Sequence, residues 1–171
     1  PTLLKLMNYF AKHEDKTGFL LSEKDWWIFI DHGEMTATQN YSLVLQSSYY
    51  GSLVGAEKIA ETLKDGQKAN QFENKAKALK GKINEYFWDE RQGLFDDCRA
   101  ENGYCHHFSQ QANYWALYWE VVEENKKDLL LNNLLANKNH LEESKTPFFN
   151  GFIAEVLFRN NRQNEAIKLI K

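Results

Sequence analysis

The residues best suited to chemistry lie together at Asp25-Trp26-Trp27-Ile28-Phe29-Ile30-Asp31-His32-Gly33-Glu34. The stretch sets two indoles, three carboxylates and an imidazole around an apolar triplet, broken by a turn-forming glycine. Indoles stack on the C–H faces of a polar ring and carboxylates accept from its hydroxyls, so a sugar is the ligand such a loop suits. Singly, each residue has a plainer use: Trp26 and Trp27 as core, Asp31 as a cap for the next helix, Asp25 as a cap or turn residue. Their clustering is what points to a site. Glu34, beside indoles, is placed for a pKa raised by desolvation, as a catalytic acid needs, against the plainer reading of a solvated loop glutamate.

Further along, His106 and His107 open a helix, where an imidazole can donate to a sugar hydroxyl or simply serve the helix start; His107 is the better candidate of the two. Gln110, Gln111 and Asn113 could reach hydroxyls, and Phe148 and Phe149 could wall a cup or fill a core. Asp96 and Asp97 with Glu90 lack calcium-loop spacing and read as a solvated turn. Cys98 and Cys105, followed by His106-His107, lack the paired spacing of a structural zinc site, so free thiols are expected, with a local disulfide as the alternative and metal last. No cofactor motif appears: Gly51-x-x-x-Gly55 lacks the Lys-Ser/Thr of a phosphate loop, and no nucleophile-elbow Gly-x-Ser-x-Gly is present.

Helices must position these groups. A first runs from about Thr2 to Ala11. A second, about Thr38 to Leu63, carries the stripe Tyr41, Leu45, Tyr49, Leu53, Ala56, Ile59, Ala60 and Leu63 at helical spacing, with Thr38 as cap. Gly51 and Gly55 share a face of it and predict a close neighbour. Asp65-Gly66 turns the chain into a third helix, about Gln67 to Phe87, with Phe72, Ala76, Leu79, Ile83 and Phe87 on one stripe, making an antiparallel hairpin. A turn at Gln92-Gly93 and a brief extended pairing at Leu94-Phe95 follow. Helices are then expected at about Phe108 to Val122, Lys126 to Ala136, Pro147 (behind the cap Thr146) to Arg159, and from Gln163 onward.

The class is therefore all-α, about three and a half helical hairpins, and an array of hairpins must be capped or closed into a ring. The chain of 171 residues starts at Pro1 rather than Met, and apolar periodicity runs into both ends. The expectation is a piece of a larger helical domain, truncated at both ends, whose partner is the remainder of that domain and which is unstable alone. A net charge of −3 with interspersed signs argues against nucleic acid, and no apolar run approaches a membrane span.

Four motifs occur in order: Trp27-x-x-x-Asp31 before a tyrosine-bearing helix, Phe87-Trp88-Asp89-x-x-x-Gly93-x-Phe95-x-Asp97, Gln111-Ala112-Asn113, and Thr146-Pro147-Phe148-Phe149. Together they resemble the six-hairpin (α/α)6 catalytic domain of bacterial α-L-rhamnosidases. The resemblance implies an arc of an (α/α)6 toroid and an inverting glycosidase whose substrate is a rhamnose-containing carbohydrate. An inverting pair of carboxyls stands ~6.5–9.5 Å apart to admit water. In that family the acid lies in an Arg-rich acidic loop before this part and the base in a Glu-x-Trp loop beyond it. Neither motif occurs here. The resemblance thus gives this chain part of the sugar-binding cup and no principal catalytic residue: Trp27 as the stacking ring and Asp31 as the hydroxyl acceptor. His32 stands where relatives commonly carry Trp, which bears on the outer wall. Another inverting six-hairpin glycosidase, or a non-catalytic helical repeat that binds peptide or polysaccharide in a concave face, would share the hairpin rhythm.

Overall fold

The computed structural model describes residues 2–21, 41–100, 103–137, 141, 143–144 and 146–170. Helix α1 spans Thr2–Lys12 and buries Met7. Strand β1, Tyr41–Ser42, leads straight into α2, Leu43–Thr62, so this helix starts later than its sequence stripe suggests and Tyr41 belongs to a strand. Asp65 caps α3, Gly66–Phe87, by accepting from the Lys68 amide at 3.0 Å. The facing stripes bury Tyr49, Leu53, Ala56 and Ala60 against Phe72, Ala76, Leu79 and Ile83. Ile59, in the last turn of α2, and Leu63, its C-cap, depart from the expected stripe at 47% and 73% exposure.

Four short strands separate this hairpin from the next helix: β2 at Trp88–Asp89, β3 at Leu94–Phe95, β4 at Cys98–Ala100 and β5 at Gly103–Tyr104. The expected extended pairing is present, with Trp88 opposite Phe95 and Asp89 opposite Leu94. The turn between them puts Gly93 at φ +62° and packs it against Asn133, whose amide donates to the Gln92 and Gly93 carbonyls, both at 3.1 Å. A second small sheet, in the order β1-β4-β5, is built of strands of two or three residues, too short to show a pattern in sequence.

Helix α4 spans Gln110–Tyr118, capped by the Ser109 hydroxyl, and α5 spans Glu124–Ala136, ending on Asn137 in the left-handed region at φ +44°. Helix α6, Pro147–Arg159, has the expected Thr146 cap and proline at its first position, and α7, Gln163–Ile170, folds back on it. Among the described residues no helix is long and apolar enough to cross a membrane.

Helices α2, α4 and α6 pack side by side, and each is followed by a helix that returns antiparallel to it, α3, α5 and α7. Trp115 of α4 bridges the row: its indole N–H donates to Ser48 of α2 at 2.9 Å, and its ring meets Phe149 and Phe152 of α6. Short turns close one end of the array. At the other end the longer connections enter α2, α4 and α6, and that end carries the site.

The cysteines expected as free thiols form a disulfide, Cys98–Cys105, with Cα atoms 5.6 Å apart across β4 and the chain after β5. Hairpin pairing brings the two Cβ atoms together, a proximity their spacing in sequence does not reveal. Joining residues 7 apart removes loop-closure entropy worth about 2–3 kcal/mol. Replacing both cysteines by serine is expected to lower stability by about that amount in urea unfolding of the full-length protein. An unchanged midpoint would show that the pairing carries none of the hairpin's stability.

Candidate functional site

Two consecutive aspartates organise the entrance to α4. Both are fully buried, which overturns the reading of a solvated turn. The Asp96 carboxylate accepts from the backbone amides of His106, at 2.8 Å, and His107, at 3.2 Å. His106 reaches it by entering the left-handed region, φ +55°. Asp97 takes the side chain: its Oδ2 lies 2.9 Å from His107 Nδ1, and its Oδ1 accepts from the Ser109 amide at 3.0 Å. The Asp97 amide donates back to the His107 carbonyl at 2.8 Å, so residue 107 is held by backbone and ring together. Burial pushes the Asp97 carboxyl above its ordinary range, while the bonds from His107 and Ser109 pull it back. His107 itself is 39% exposed at the side chain. An imidazole half in solvent and backed by a buried carboxylate is an oriented hydrogen-bonding group.

Asp97 also ties helices together. Its carbonyl accepts from the Leu43 amide at the start of α2 while its carboxylate holds the start of α4. Gln110, in the first turn of α4, accepts from the Ser144 amide just before α6 at 3.4 Å. The starts of α2, α4 and α6 therefore lie at one end of the row, and His107 lies there with them.

Both flanks of the aromatic–acidic stretch are fastened at this same end. The fully buried Gln46, in the first turn of α2, receives the Leu20 amide at 3.0 Å and donates to the Leu20 carbonyl at 2.8 Å. Tyr41 donates to Asp15 Oδ2 at 2.7 Å, and Asp15 Oδ1 accepts from the Thr17 amide and hydroxyl and the Phe19 amide. Burial raises the Asp15 pKa, but these four bonds outweigh it and hold the carboxyl below its ordinary value. Residues 20 and 41 are thus brought to one neck. Trp27, Asp31, His32 and Glu34 lie outside the described residues, as do Asp25 and the cap candidate Thr38; His107 is the predicted site residue that the structure describes.

The other sequence candidates resolve differently. Asn113 makes no side-chain bond towards solvent: its oxygen accepts from the Phe95 amide at 2.8 Å and its nitrogen donates to the Phe95 and Ser109 carbonyls, both at 3.0 Å. Gln111 is buried and Phe149 is core, while Phe148, in the first turn of α6, is 64% exposed. The Asp96 carboxylate and the Cys98 and Cys105 sulfurs come within 4.8 Å of one another, but a disulfide offers a metal no thiolate. Sequence reasoning missed Asp97 and Gln46. The signal for Gln46 was a glutamine on the apolar side of a helix start.

Comparison with known proteins places this architecture. The trehalase family model matches residues 34–165. The fold superposes on a GH78 family rhamnosidase of Bacillus sp. GL1 with a TM-score of 0.88 and 19% identity, over 98% of this chain and 18% of that one. It superposes on a rhamnosidase of Klebsiella oxytoca, solved with rhamnose bound, with a TM-score of 0.81 and 23% identity, over 100% of this chain and 31% of that one. The neutral trehalase of Saccharomyces cerevisiae matches with a TM-score of 0.59 and 13% identity over 72% of this chain and 28% of that one. No curated protein matches by sequence. The hairpins are those of the six-hairpin glycosidase fold, and the chain spans less than a third of the length of each of these proteins.

Proposed function

Because the chain belongs to the trehalase family, we propose that the protein carrying it is a six-hairpin glycoside hydrolase that releases terminal rhamnose with inversion, and that this stretch is part of one (α/α)6 catalytic domain. The observation that carries the rhamnose reading is the match over 98% and 100% of the chain to two rhamnosidases, against 72% to the yeast trehalase. In this reading Trp27 stacks on the sugar ring and Asp31 accepts from its hydroxyls. His32 and Glu34 complete the wall, and His107 bonds a hydroxyl from the α4 side. The proton donor and the water-activating carboxylate come from outside these residues, on opposite faces of the anomeric carbon and ~6.5–9.5 Å apart. The neck at Leu20 and Tyr41 supports this assignment, since a rigid base is what a sugar-gripping loop needs.

A second reading, hydrolysis of trehalose, is favoured by the family model itself. Assay of the full-length protein on an aryl α-L-rhamnoside and on trehalose separates them. Turnover of the rhamnoside, with β-rhamnose as the first anomer seen by proton NMR, is the expected result. Turnover of trehalose alone would install the second reading. No activity on either, and none on a panel of other aryl glycosides, would leave a binding scaffold and overturn both.

A further inference from the structure

We propose that Arg99 is a recognition site for the carboxylate of an acidic sugar, so that the glycan this protein works on carries a uronic acid beside its rhamnose. The carboxylate half stands on the geometry of Arg99; the sugar half rests on the function proposed above. Arg99 lies in the middle strand of the β1-β4-β5 sheet, opposite Tyr41 on one side and Tyr104 on the other. Residues directly opposite one another in antiparallel strands share a face, so the arginine and both tyrosines project together. Its guanidinium carbon stands 3.2 Å from the centre of the Tyr104 ring and 4.9 Å from that of Tyr86. Its Nε–H donates to the Tyr86 carbonyl in the last turn of α3. Two rings and one backbone bond thus fix the group before any ligand arrives.

The outer edge of the guanidinium is unspent. Arginine has five N–H donors; Tyr86 takes one, and among the described residues no carboxylate pairs with the rest. Arg159 shows the contrast: it lies over the Tyr118 ring in a similar way, and Glu155 neutralises it. A cation at the end of α3 is favourable in itself, because it meets the negative pole of the helix, and the Nε bond supplies that. This structural use leaves the two terminal nitrogens side by side. A carboxylate is the sugar substituent whose two oxygens match such a fork, whereas a hydroxyl would use one nitrogen. The position ties the fork to the candidate site. Strand β1 leads straight into α2, at the end of the row where His107 lies, and the His106 ring is 5.9 Å from that of Tyr104. One ring therefore separates the guanidinium from His106. The fork sits beside the site, where a neighbouring unit of the glycan would lie.

Titration of the full-length protein with D-glucuronate and with D-glucose tests the carboxylate half without any turnover. In nitrogen-15 spectra, with the Arg99 Nε resonance assigned through Arg99→Lys, glucuronate should move that resonance and glucose should not. The lysine variant keeps a charge at the end of α3 and loses the paired nitrogens. Its affinity for glucuronate, by calorimetry, should be about tenfold weaker, the worth of one charge-assisted hydrogen bond. An unmoved resonance, or equal affinity in the variant, overturns the proposal. Acetate and inorganic phosphate identify the ligand: binding of either as tightly as glucuronate would show a general anion site and overturn the sugar half. For the substrate, the wild type should prefer a rhamnoside of glucuronate to the same rhamnoside of glucose in kcat/KM, and Arg99→Lys should lose about tenfold of that preference. No preference, or one unchanged in the variant, overturns the sugar half. Binding of glucuronate at Arg99 by a protein that hydrolyses no rhamnoside would fail the function proposed above and leave the carboxylate site standing.

Discussion

Asn113→Leu is expected to cost about 3–5 kcal/mol of stability and to release the segment that holds His107. Strand β3 is bonded on one side to β2, and on the other side its Phe95 amide and carbonyl meet, among the described residues, the Asn113 carboxamide, at 2.8 and 3.0 Å. Asn113 stands in for a missing strand. Leucine has similar volume but neither donor nor acceptor. The variant therefore strands two buried backbone groups at about 1–3 kcal/mol each, and frees the Ser109 carbonyl of one of its partners. A loss of that size lowers the melting temperature by roughly 6–20 °C in a domain of this size. Hydrogen exchange adds location: the peptide spanning Leu94 to Ser109 should lose protection well before α2 and α3 do. A melt within 2 °C of the wild type, the approximate shift of a sub-kcal/mol change, would mean that water or a backbone shift satisfies Phe95 and that Asn113 is replaceable.

How the site became legible follows from the same residues. The Asp65-Gly66 turn of the αα-hairpin and the Thr146-Pro147 helix start are local signals, complete within four or five residues, and both stand in the structure where the sequence puts them. Asp96 and Asp97 are different. Two adjacent aspartates after a glycine turn carry the composition of a solvated loop, and what buries them is a set of amides ten to twelve residues further on. No periodicity encodes that return. The disulfide has the same origin: Cys98 and Cys105 meet because β4 and β5 pair, and strands of two or three residues leave no alternation to read. The asparagine of Gln111-Ala112-Asn113 was legible as important but not for its reason. A polar side chain at a helix start suits a ligand and a neighbouring strand edge equally well, and only the position of Phe95 decides between them.

The two glycines of α2 test whether the packing behind the site is as tight as the structure has it. Four residues apart on one helix, Gly51 and Gly55 look alike in sequence, and both predict a close neighbour. The structure separates them. A methyl carbon on Gly51 would stand 2.1 Å from Trp119 Cε3 and 2.5 Å from Cδ2, whereas one on Gly55 would meet nothing within 4 Å. Trp119 has little room to retreat, since its ring packs edge-on against Trp115 and Tyr118, and Trp115 is itself bonded to Ser48 of α2. Alanine at 51 thus gains about 1 kcal/mol of helix propensity and loses more than that to overpacking, for a net cost of about 2–3 kcal/mol. Alanine at 55 keeps the propensity gain and should stabilise by up to about 1 kcal/mol. The difference between the two variants, roughly 3–4 kcal/mol from the same chemical change, is read from paired urea midpoints at unchanged slope. Equal midpoints would remove the contact between α2 and the end of α4. The spacing of α2 and α4 would then rest on Trp115, through its bond to Ser48, and on Asp97, which holds the starts of both helices.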